Sequence, residues 1–135
     1  DFTDINKILE IFKTSPNKLS LNELYIASMA IEPGSEEFIE IFETAVRMYP
    51  GDPVANLNAA NVAISDERYK DAKAYLKKAG ETPEADYAWG LYYLALREYD
   101  KADEKLKKSR EDGIAEAAEM IRKGEKLREY YTNNK

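Results

Sequence analysis

Two stretches of this chain, NAANVAISDERYKDAKAYLKKAG at 58–80 and WGLYYLALREYDKADEKLKKSR at 89–110, are written to one pattern. With Ala60 set over Gly90 they align without a gap: Tyr69 over Tyr99, Ala72 over Ala102, Leu76 over Leu106, Lys77 and Lys78 over Lys107 and Lys108, and Ala79 over Ser109. The period is 30 residues, and weaker echoes run toward the N-terminus, where Ala45 precedes Ala79 by 34 and Pro16 precedes Pro50 by 34. Self-similarity at this spacing is the mark of supersecondary units that cannot bury an apolar face alone and acquire a core by stacking on their neighbours.

Each unit reads as two helices. Ser20 with Glu23 has the spacing of a capping box, Asp52-Pro53 and Thr82-Pro83 place a cap before a proline at the first helical position, and Ser35 precedes Glu36 and Glu37 in a first turn. Pro16, Pro33-Gly34, Pro50-Gly51, Gly80 and Gly113 interrupt helical patterns. These signals predict helices at about 4–14, 20–31, 36–48, 53–64, 68–79, 84–96, 99–110 and 114–131. No segment alternates with period two for long enough to argue a strand, so the fold class is all-α. Ala60 and Ala72, then Gly90 and Ala102, lie where the first helix of a hairpin crosses the second, and anything larger than a methyl there would hold the helices apart. The preceding unit has Ile26 and Phe38 at those positions, which predicts a hairpin packed more openly.

Composition narrows the function classes. The chain has no cysteine and no histidine, so disulfides, thiolate nucleophiles, Ser/His triads and the usual zinc ligands are all unavailable to it. The net charge is −6, and residues 1–50, with 4 basic and 9 acidic side chains, carry −5 of it. An acidic chain is a poor partner for phosphate backbones, and the basic cluster Arg122, Lys123, Lys126 and Arg128 is interleaved with glutamates as a solvated helix face is. No apolar run approaches the roughly 20 residues that span a bilayer. Glu36, Glu40 and Glu43 share a helix face but lack the glycine-bearing, oxygen-rich loop of a calcium site, and they read as a solvated surface. No cofactor, metal site or catalytic residue is expected, and the chain reads as non-enzymatic.

The repeated residues resemble the tetratricopeptide repeat (TPR). The 53–79 unit carries Ala60, Tyr69, Ala72, Leu76 and Ala79, and the 84–110 unit Gly90, Tyr93, Tyr99, Ala102 and Leu106, with Ser109 for the last alanine. The 19–50 unit keeps only Phe42, Ala45 and Pro50, and helix 4–14 is similar to the second helix of a unit whose first is missing, as if the chain were part of a longer protein. The resemblance implies one domain over 1–135, a right-handed α-solenoid of TPR-like hairpins, about eight helices in all, closed by a C-terminal capping helix at 114–131. That last helix offers Ile114, Ala117, Ala118, Ile121, Leu127 and Tyr130 as its apolar stripe. The stretch from Leu19 to Ile64 is also similar to the C-terminal repeat region of a class of Gram-negative cell-envelope proteins. This implies a periplasmic or outer-membrane-associated location, the alternative being cytoplasmic.

A TPR-like arrangement further implies a concave groove lined by the first helices of successive units. By register its positions are Glu23, Ala27 and Ala30, then Leu57, Asn58, Asn61 and Ile64, then Tyr87, Leu91 and Leu94. Asn61 stands where TPR peptide binders often place an amide on the ligand backbone, although Asn58 and Asn61 could equally hydrogen-bond a neighbouring helix. The basic residues of a carboxylate clamp are missing, the matching positions holding Leu57, Tyr87, Ser65 and Ala95. The partner expected is therefore a protein or peptide segment docked by its apolar side chains, the alternative being a structural spacer with an empty groove. Tyr87, Trp89, Tyr92 and Tyr93 crowd one helix, and some of that aromatic surface is expected to face a ligand. Helix 4–14 is expected to leave Ile5, Ile8, Leu9 and Phe12 open to self-association.

Overall fold

The caps anticipated from the sequence close in space. In a computed structural model that describes residues 4–134, the chain forms eight α-helices, and no strand occurs among the described residues. They are Ile5–Thr14 (α1), Leu21–Ser28 (α2), Glu36–Met48 (α3), Pro53–Ser65 (α4), Tyr69–Lys78 (α5), Pro83–Ala95 (α6), Tyr99–Glu111 (α7) and Glu116–Asn133 (α8), with one 3-10 turn at Pro16–Lys18. The Ser20 hydroxyl accepts from the Glu23 amide at 3.1 Å while the Ser20 amide donates to Glu23 Oε1 at 2.9 Å, a complete capping box. Ser35, Asp52 and Thr82 accept in the same way from the amides of Phe38, Ala55 and Ala85.

Every helix packs on its successor in the chain, α4 also on α6, and α6 also on α8. The crossings of α4 with α5 and of α6 with α7 are made by the small residues the repeat singled out. Ala60, Ala72 and Ala102 are completely buried. Gly90 is buried too, and a methyl built on it would lie 2.5 Å from Leu106 Cδ2. In the α2/α3 pair, Ile26 and Phe38 are only half-buried. The two later hairpins also turn alike. Glu67 and Arg97, 30 residues apart, both adopt left-handed backbone, with φ of 59° and 60°. The next amide in each, of Arg68 or Glu98, reaches back to the carbonyl of Ala63 or Tyr93.

Three expectations are corrected by the packing. Ile8 and Phe12 do not face solvent; they join Leu19, Leu24, Ala27, Ile41 and Ala45 in a buried cluster against which Leu9 also packs. Of the α1 face expected to be open to self-association, Ile8 and Phe12 are thus buried within the chain, while Ile5 and Leu9 are half-buried. Second, α2 ends at Ser28, short of the predicted 31, because Met29, Ala30 and Ile31 tighten into amide-to-carbonyl bonds spanning three residues. Third, the stripe that α8 buries is Ala117, Ile121 and Gly124, continuing to half-buried Tyr131, while Leu127 and Tyr130 are exposed. Successive steps of three residues drift backwards around a helix, so 127 and then 130 turn progressively away from the face of 117, 121 and 124, while a step of seven from 124 returns to it at 131.

Candidate functional site

The shortness of α2 leaves an apolar recess in the surface. Near its start α2 reaches toward α4, through Leu21 against the Val46, Ala55 and Ala59 cluster and through Tyr25 beside Asn58. Beyond Ser28 no helix lies there, whereas α4 continues to Ser65. The cleft left between α3 and α4 has a volume of about 350 Å³. One wall is apolar, made of Phe38, Ile39 and Phe42 of α3, with Pro33 and Gly34 at the rim. The facing wall belongs to α4 and its end, where Asn58, Asn61 and Ser65 alternate with Val62 and lead to Asp66. Residues 58, 61, 62 and 65 are one helical face, so the polar strip is a consequence of α4's own period.

The apolar wall is held from behind. Phe38 meets Phe42 edge to face with ring centroids 4.9 Å apart, and Tyr25 stacks on the far side of Phe42 at 6.1 Å. Burial pushes the Tyr25 phenol above its usual range, with the neighbouring Asn58 amide pulling the other way. The buried Tyr25 hydroxyl still completes no aligned hydrogen bond within the chain. At the far end of the cleft, Arg68 fixes the turn between α4 and α5. Its Nε donates to Asp66 at 2.8 Å, Nη1 to Asp71 at 3.2 Å, and Nη2 makes a charge contact with Glu43 of α3 at 2.9 Å. This ion cluster ties the two walls together and occupies the cation at the site. Glu43 therefore has a structural task, and no group of three or more metal-ligating side chains gathers there or elsewhere among the described residues.

The groove positions read from the sequence divide into two sets. Asn58 and Asn61 line the cleft, Asn58 half-buried and Asn61 exposed. Leu57 and Ile64 instead pack against the α4/α5/α6 cluster of Ala60, Ala72, Leu76 and Tyr92, and Leu91 on α6 is half-buried. Leu94 is 9% exposed and lies under α8, close enough that a methyl on Gly124 would meet its Cδ2 at 3.0 Å, and it lines a separate recess with Tyr99 and Ile121. Tyr87 packs into the same α8-facing cluster, where burial and then Glu116 raise its pKa. In the first unit Ala27 is in the core and Glu23 is engaged in the cap. Of the aromatic crowd on α6, Tyr92 is buried and Tyr87, Trp89 and Tyr93 are half-buried. Trp89 stacks on Tyr93 at 5.6 Å and meets Tyr92 edge on, and Tyr92 is buried.

Phe38, Ile39 and Val62 were missed as site residues. The one sequence signal that bore on them was Phe38 standing where the later repeats have alanine, which marked open packing without showing that the opening would be lined by α3. Compared with protein families, curated proteins and solved structures, the chain matches none.

Proposed function

We propose that this chain is a non-enzymatic, TPR-like α-solenoid that binds a protein or peptide segment, and that the segment docks in the cleft between α3 and α4. The observation that carries the reading is the pairing of an apolar wall, Phe38, Ile39 and Phe42, with a polar strip, Asn58, Asn61 and Ser65, across one recess. An amide donates and accepts at once, so two of them spaced along a helix suit the alternating N–H and C=O groups of a docked chain, while the phenyl wall receives its side chains. The solenoid reading is supported by the matched turns at Glu67 and Arg97 and by the row in which α6 packs on both α4 and α8. The cell-envelope address and the wider protein it implies rest on the sequence resemblance.

The alternative, a spacer with nothing in the cleft, is favoured by one contact: Asn58 already lies against Tyr25, which leaves it less free for a ligand. Affinity capture from an extract of the source cells, with the chain and its Ile39→Arg, Asn61→Arg variant compared side by side, separates the two. Both positions are at the surface of the cleft, and circular dichroism establishes that the variant keeps its helices. A partner retained by the chain and lost by the variant is the expected outcome. Equal capture by both would remove the cleft from the function, and capture by neither would support the spacer.

A further inference from the structure

The two halves of α8 are held in different ways. As far as Gly124 the helix is anchored by burial: Ala117 and Gly124 are buried, and Ile121 joins Leu94, Ala102 and Leu106 in one apolar cluster. From 125 to 134 every residue is exposed except Tyr131, which is half-buried. This end is docked by charge and one ring. The Arg97 guanidinium lies over the Tyr131 ring, and Arg128 donates to Asp100 at 2.6 Å across the surface. Exposed contacts of both kinds hold weakly. Gly124 separates the halves, and a glycine inside a helix is where it breaks at least cost. Beside this junction lies a recess of about 190 Å³, with Leu94, Tyr99 and Leu106 on one side and Glu125 and Arg128 on the α8 side. Its α7 wall repeats that of the α3/α4 cleft: Asp103 and Leu106 follow Ile39 and Phe42 by 64 residues, the interval from Ala45 to Ser109.

We propose that residues 125–133 are a strap that opens apart from the rest of the fold, hinged at Gly124, and that its opening uncovers the recess between α6, α7 and α8. The device does not depend on a partner in the α3/α4 cleft. Closed, the strap leaves about 190 Å³, less than the about 300–1,000 Å³ of ligand sites, so this second copy of the cleft wall is held shut. Opposing terms make the closure marginal. The contacts of Arg97 with Tyr131 and of Arg128 with Asp100 favour it. The Tyr99 hydroxyl opposes it, being buried at the recess without a hydrogen-bond partner and able to regain water only when the strap lifts. Raised salt screens the ion pair and shifts the balance toward opening. Undocked, so short a stretch has only its own propensity to hold it, so release of the strap and loss of its backbone hydrogen bonds coincide.

Amide hydrogen exchange, resolved by residue, tests this with substitutions that leave α8 itself unchanged. In the parent chain the amides after Gly124 are expected to exchange together, about tenfold faster than those before it. The Arg97→Asn, Asp100→Asn variant is expected to speed exchange in the strap about fivefold and to leave residues 117–124 as they were. Asparagine at 97 suits the left-handed backbone of that turn, and Arg97→Asn alone, outside every helix, is expected to give about a twofold rise free of any loosening of α7. Tyr99→Phe is expected to act the other way, slowing exchange in the strap about fivefold because closure no longer isolates a hydroxyl. Exchange that slopes evenly back from the end of α8 and ignores the substitutions at 97 and 100 would be fraying, and would overturn the strap. Exchange after Gly124 as slow as before it would overturn it too. Strap exchange unchanged in Tyr99→Phe would show that opening does not reach the recess, and would overturn the uncovering.

Discussion

Glu67 and Arg97 occupy a backbone region that side chains with a Cβ enter at a cost of roughly 1–2 kcal/mol. Each is needed there because the left-handed residue lets the following amide turn back onto the end of the preceding helix. Glycine would adopt the same conformation without the clash but would lose more freedom on folding, so Glu67→Gly is expected to stabilise the chain by about 0.5–1 kcal/mol, read as a higher midpoint in urea. Arg97→Gly is expected to gain less, because the Arg97 guanidinium lies 3.6 Å over the ring of Tyr131 and that attraction would be lost. Gly90 presents the opposite case. Alanine there gains about 1 kcal/mol in helix propensity, but its methyl would drive into Leu106, which is 1% exposed and cannot swing clear, at a cost of about 1–3 kcal/mol. Gly90→Ala is therefore expected to lower stability by about 1 kcal/mol, and an increase in the urea midpoint would show that the α6/α7 crossing has slack.

Among the elements, α2 is the one on which the site depends, since its early end opens the cleft. It has only 8 residues, too few to be stable alone, and its capping box satisfies two amides that would otherwise be unpaired. Ser20→Ala is expected to cost about 1 kcal/mol and to speed amide hydrogen exchange in α2 ahead of α4 and α6; uniform exchange across the helices would mean that packing alone holds α2 in place. This cap was legible because Ser20 and Glu23 act within one turn, through backbone geometry that the sequence spacing fixes. The end of the same helix was not. Met29, Ala30 and Ile31 are ordinary helix-compatible residues, and the chain leaves the helix there without a proline or glycine until Pro33-Gly34. The stripe of α8 failed to read for a related reason. Gly124 carries no side chain to signal burial, yet it lies closest to Leu94, and that approach sets which face of α8 turns inward. The site follows the same division: Asn58 and Asn61 were found by register along one helix, whereas Phe38 and Ile39 come to face them only because two helices end at different places.

Over the whole molecule, the repeat made the all-helical class legible, because the same apolar and small residues recur at hairpin spacing, but the way ionisable groups share the interior is a property of the packed chain. With no histidine or cysteine, no side chain of those two types titrates between the carboxylates and the tyrosines. Burial raises the pKa of Tyr25, Tyr75, Tyr87 and Tyr92, with Glu43 and Asp71 adding to the shift at Tyr75 and Glu98 at Tyr92. In each case the folded state holds its proton to higher pH than the unfolded state does. The stabilising contribution is therefore complete below the unfolded value of about 10 and is lost as pH rises from there through the folded values. Urea midpoints are expected to fall above about pH 10 in step with the rise of phenolate absorbance. Tyr25 is one of these four phenols, so a variant is needed to isolate its share. Tyr25→Phe serves, because the hydroxyl it removes is buried without an aligned partner and its loss at neutral pH is expected to be neutral or slightly stabilising. The variant should retain more of its stability than the parent above about pH 10. A parallel decline in the two would place the alkaline loss in the other three phenols, and a large loss at neutral pH would show that the Tyr25 hydroxyl and Asn58 form a bond that holds the rear of the cleft.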